Sequence, residues 1–107
     1  MAGLYGALGM CRLFLGNLDQ AIDLFRKARA ANPRLSPVHL HLAGALGLKG
    51  DVDEARAALA EGIKLKPELN SLAQWRIYRP WETNPQHWAL CEKTLNIGLR
   101  RAGFPDE

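Results

Sequence analysis

Apolar residues recur along this chain at steps of three and four, the spacing that gathers side chains on one face of an α-helix. Leu4, Tyr5, Leu8, Cys11 and Leu15 form the first stripe and predict a helix over about 2–15. Ala7, Met10, Leu13 and Phe14 add apolar groups elsewhere round that cylinder, and Arg12 is its only charge. A helix so nearly apolar all round needs neighbours on more than one side. Leu18, Ala21, Ile22, Phe25 and Ala28 predict a second helix. Its start is placed at Asp19, where a carboxylate meets unsatisfied amides. Val38, Leu42, Ala45, Leu46 and Leu48 predict a third over 37–48. Val52, Ala55, Leu59, Gly62 and Ile63 predict a fourth over 53–65. Asn70-Ser71 suits the cap of a short helix over 72–78. Asn84-Pro85 suits the start of a last helix over 85–101, striped by Trp88, Cys91, Leu95 and Leu99. The expected fold class is therefore all-α, with about six helices.

The punctuation between these helices repeats. Gly16 to Gly50, Asp19 to Asp53, Ala21 to Ala55 and Pro33 to Pro67 are each 34 positions apart. Phe25 and Leu59, and Leu18 and Val52, keep the same register. A fixed period of this size with small, bulky and turn residues in step marks a stacked helix-turn-helix array. One domain, 1–107, divides into repeat 1 at 2–35, repeat 2 at 36–69 and a degenerate helix pair at 70–107 that covers the open end. Gly16 and Gly50 suit left-handed helix ends, and Pro33 turns Asn32 away from helical geometry. Gly9 has a packing reason, since a missing side chain admits the paired helix.

The residues in step resemble the tetratricopeptide repeat. A bulky residue early in the first helix is matched by Tyr5 and His39. Leu8-Gly9 and Leu42-Ala43 follow, then Gly16 and Gly50, Ala21 and Ala55, Phe25 and Leu59, Ala28 and Gly62, Pro33 and Pro67. The resemblance covers 2–69; His39 at an aromatic position and Gly62 at an alanine position depart from it. It implies an α-α superhelix whose first helices line a concave groove for a peptide or protein segment. Carried over by register, Gly6, Met10, Leu13, Leu40, Gly44 and Gly47 are the groove residues. Gly6, Met10 and Leu40 stand where some members clamp a C-terminal carboxylate with lysine and asparagine, which argues against that role. An apolar groove suits a helix, including one from the same protein. Leu4, Leu8 and Phe14 are the expected self-association edge, so a homodimer is among the expected assemblies. The tail, LRRAGFPDE, resembles the C-terminal end of bacterial multidomain signalling proteins. In class III adenylate cyclases of this kind repeats follow a cyclase domain, and winged-helix regulators are similar. The chain is accordingly expected to be a fragment of a larger protein.

Composition narrows the chemistry. The net charge of +3 is spread as +3, −1 and +1 over residues 1–35, 36–69 and 70–107, so no dense basic stripe offers a nucleic-acid footprint. No window approaches the ~20 apolar residues of a membrane span. The apolar start lacks the basic flank of a signal peptide. Cys11 and Cys91 match no metal or redox spacing and are expected as buried thiols in a reducing, cytoplasmic setting. His39 and His41 point to different helix faces; His87 and Cys91 share one, without a further ligand nearby. Trp75, Trp81 and Trp88, interleaved with Arg76 and Arg79, are expected to seal the closing segment. Two serines and two threonines stand in no glycine-framed nucleophile turn, and there is no phosphate loop. The expectation is a protein-interaction module with no catalytic residues, no metal and no cofactor.

Overall fold

The computed structural model describes residues 2–78 and 85–107, and these form seven helices and no strands. They are α1 (Ala2–Phe14), α2 (Leu18–Ala31), α3 (Ser36–Lys49), α4 (Val52–Leu65), α5 (Leu72–Tyr78), α6 (Pro85–Lys93) and α7 (Leu95–Arg101). The expected positions Arg79, Pro80, Trp81 and Asn84 lie outside the described residues.

The first four helices are two hairpins built to one pattern. Gly16 and Gly50 take φ of 84° and 98°, a region costly for residues with a Cβ. The chain reverses identically at both. Asn17 N–H donates to the Arg12 carbonyl at 2.9 Å, and Asp51 N–H to the Leu46 carbonyl at 3.0 Å. Each pair is a six-to-one closure that satisfies an otherwise orphaned helix carbonyl. α2 and α4 begin one residue before the expected aspartates, and Asp19 makes an ion pair with Lys49 at 2.8 Å. Inside the first hairpin a Cβ on Gly9 would overlap the Phe25 ring, so the helices approach as closely as glycine permits. Ala21, Phe25 and Ala28 are fully buried against them.

The two departures from the repeat pattern have packing roles. His39 is buried, and its Nε2–H donates to the Pro33 carbonyl at 2.7 Å, tying α3 to the turn before it. Gly62 leaves room for α3: a Cβ there would stand 3.2 Å from His39 Cβ. Ser36 Oγ donates to the Gly62 carbonyl at 2.7 Å, so this serine binds the neighbouring helix.

The expected single helix over 85–101 is two helices. Thr94 leaves helical geometry, at φ −127° and ψ −89°. Its hydroxyl donates to the Leu90 carbonyl at 2.7 Å, and its N–H shortens its reach to the Cys91 carbonyl at 3.2 Å. The threonine side chain thus takes the carbonyl its own amide would use in a continuous helix. The break turns α7 back onto α3.

Residues after α7 close the other end of the array. Gly103, at φ 98°, reverses the chain and Phe104 is buried at 2% exposure. The Pro105 and Asp106 carbonyls accept from Leu72 N–H and Ala73 N–H, both at 2.9 Å. Ser71 Oγ takes Gln74 N–H at 3.1 Å, and the Ser71 carbonyl takes Trp75 N–H at 2.9 Å. The open amides of the first three residues of α5 are therefore satisfied, two of them by the tail.

Candidate interaction surfaces

The concave side of the two hairpins is occupied by α7. Gly44 and Gly47 on α3 face Gly98 on α7, and the backbones meet without side chains between them. A Cβ on Gly98 would overlap the Gly44 carbonyl oxygen, and one on Gly47 would overlap the Gly98 carbonyl oxygen. Leu95, fully buried, lies over Gly44, and Leu99 is fully buried beside it. Arg101 Nη1 reaches the Gly47 and Leu48 carbonyls at 3.5 and 3.3 Å, where α3 runs out of internal donors.

This corrects the expectation of an open groove. Gly44 and Gly47 lie beneath α7, Leu40 and Leu13 are buried at 0% and 1%, and Met10 is at 8%. Gly6 alone of the six keeps open space, with nothing within 4 Å of a Cβ built there. Small residues at 44 and 47 invited close approach, and the approaching element came from about fifty positions further along the same chain.

The outer face of α1 is uncovered. Leu4 and Leu8 are 53% and 43% exposed, Leu15 is 70% exposed, and Cys11 is exposed between them. The expectation that both thiols are buried is thus met by Cys91 and overturned for Cys11, whose face has no helix over it. Phe14 does not belong to this edge. It is half-buried against the core, edge-on to His87 at 5.9 Å. Leu15 and Cys11 were the edge residues to add, and the steps 4-8-11-15 carry that signal in the sequence.

The closing segment is held by rings and charges. Trp75 is buried and meets His41 edge-on at 5.6 Å, and His41 lies on Phe25 at 5.4 Å. Arg76 stands 5.0 Å over the Trp88 ring. Arg100 bridges Glu92 at 2.6 Å and Asp106 at 2.8 Å, and Asn96 donates to Glu92 at 2.9 Å. The Asn96 hydrogen bond, then Arg100, holds the Glu92 carboxyl below its ordinary value. Asp19 is likewise lowered and Lys49 raised, by their mutual hydrogen bond first and their charges second. His87 Nε2 lies 3.5 Å from Cys91 Sγ, and no group of three or more His, Cys, Asp or Glu able to hold a metal occurs among the described residues.

A tetratricopeptide repeat family model matches residues 13–75, well over half of the chain. The chain belongs to the tetratricopeptide repeat family. No curated protein and no solved structure matches it. Members of this family serve in general as protein-interaction domains. Among the described residues no helix is long and apolar enough to cross a membrane. The matched segment runs from the end of α1 to Trp75 and so includes both hairpin turns, while α7, which fills the tetratricopeptide groove, and the tail, which caps α5, lie beyond it.

Proposed function

We propose that this chain is a non-catalytic protein-interaction module that engages its partner through the outer edge of α1. One observation carries the reading: Leu4, Leu8, Cys11 and Leu15 are exposed in one line, while α7 already fills the concave side. Isolated exposed leucines are ordinary, but a continuous line of them along one helix marks a contact surface. The setting is a reducing, cytoplasmic one, as two thiols without a disulfide suggest. Affinity capture with three baits tests the reading: the unaltered chain, Leu8→Glu on the edge and Gly6→Glu on the concave side. Loss of bound protein with Leu8→Glu alone is expected. Loss with Gly6→Glu alone would return the function to the groove, and no bound protein with any bait would sink the module reading.

A second reading is favoured by the tail. Residues 99–106 work as one unit that closes the array, with Phe104 buried and two carbonyls capping α5. Their resemblance to the tails of bacterial adenylate cyclase-like proteins and transcription regulators suits a regulatory or oligomerisation segment of such a protein. Sequencing the gene upstream of Met1 tests this. A cyclase or winged-helix domain in frame supports it, and further repeats alone count against it.

A further inference from the structure

We infer that the partner on the α1 edge is a second copy of this chain, paired antiparallel about a two-fold axis between the two α1 helices; this rests on the edge reading above. Leu4, Leu8 and Cys11 correspond, 34 positions on, to Val38, Leu42 and Ala45 of α3. Those three are buried within the stack, at 3%, 0% and 0% exposure. Lys49 ends that face of α3 and is paired with Asp19 of α2 at 2.8 Å. Arg26 of α2 is paired with Glu54 of α4 at 2.7 Å. A helix therefore covers this face in repeat 2, and ion pairs fasten it at the rim.

The α1 edge keeps the apolar face and lacks the fasteners. The counterpart of Lys49 is Leu15, and the counterpart of Glu54 is Gln20. A charged helix such as α2 or α4 would find neither of those two ion-pair partners there. The matching occupant is a helix as bare of charge as α1 itself, whose described residues carry only Arg12. α3 is equally poor in charge but is enclosed by its neighbours. Among the described helices, α1 combines such an apolar stripe with exposure, so a second α1 is the matching occupant.

The spacing fixes how the copies meet. Positions 4, 8, 11 and 15 advance by four, three and four, the seam of a helix pair with a 3.5-residue repeat. An antiparallel pairing sets Leu8 against the partner's Cys11 and Leu4 against the partner's Leu15. It also opposes the two helix dipoles and keeps the two Arg12 side chains from lying in register, both of which a parallel pairing forfeits. The contact is isologous, so it closes as a dimer and does not propagate.

Cys11 gives a direct readout, because Cys91 is 1% exposed and silent to a thiol reagent. The test measures light-scattering mass and the rate of thiol labelling on the purified chain from about one micromolar to about one millimolar. The expected result is a doubling of mass with a parallel loss of Cys11 labelling. Leu8→Glu and Leu15→Lys should each restore the monomer mass and fast labelling with unchanged far-ultraviolet circular dichroism. A dimer whose Cys11 labels at the monomer rate would overturn the proposal, because its contact lies elsewhere. A monomer with fast labelling throughout would overturn it too; the capture experiment would then show separately whether a foreign helix takes the edge.

Discussion

Gly98 and Gly6 ask the same question of one methyl group and receive opposite answers. Each sits inside a helix, where alanine is favoured over glycine by about 1 kcal/mol. At Gly6 a Cβ meets nothing within 4 Å, so Gly6→Ala should stabilise the chain by about 0.5–1 kcal/mol. At Gly98 a Cβ meets the Gly44 carbonyl oxygen, which cannot move without its helix. Overpacking of that kind costs about 1–3 kcal/mol and outweighs the propensity gain. Urea midpoints of the two variants should therefore move in opposite directions. If Gly98→Ala is as stable as the parent, α7 does not lie on α3 as described. The same residues mark the reach of the sequence. Gly9 and the turn glycines could be read from it because their neighbours are close in the chain or in the repeat. Gly44 and Gly47 signalled only that something could come close, and nothing local named α7.

At the level of elements, periodicity located the helices but not the break in the last one. The stripe of Trp88, Cys91, Leu95 and Leu99 runs through position 94 undisturbed, whereas the interruption is a hydroxyl bonded to a carbonyl. Side-chain competition for the backbone has no hydrophobic period and is invisible to a pattern of apolar residues. The place of the tail in the fold was not legible, since its partners are the amides of α5 some thirty positions earlier. Its attachment should respond to acid. Glu92 holds Arg100, which also holds Asp106, and the Glu92 carboxyl is lowered by Asn96 and Arg100. A carboxyl lowered on folding stabilises the chain above its unfolded value and loses that effect as pH falls through the folded value. Asp19, lowered by Lys49, acts in the same sense at the first turn. Thermal midpoints should therefore hold near neutrality and fall below about pH 4. Glu92→Gln should make that fall shallower. Both sites are exposed, so added salt should weaken the dependence.

For the whole molecule, the question is what keeps so short an array folded. Two hairpins give few interfaces between repeats, and repeat arrays draw their stability from those interfaces. Here the chain is nearly equal in all directions, 30 × 28 × 27 Å, with a radius of gyration of 12.1 Å. Chains of this length that fold to a compact body have about 13 Å, so the array is closed on itself and not extended. The closing element is α7, which places Leu95 and Leu99 on the concave side that an open superhelix would leave in water. Ending the chain at Lys93 should then uncover Gly44, Gly47 and Leu48 together and release the two tail carbonyls from α5. The shortened chain is expected to lose most of its helical circular dichroism or to aggregate. A synthetic peptide of residues 94–107, added in trans, should restore helicity and a cooperative thermal transition. Retention of the full-length midpoint by the shortened chain would mean that the hairpins stand alone and that α7 is a bound passenger. Rescue by the peptide would mean that the groove is filled for stability, which leaves the α1 edge as the surface free for recognition.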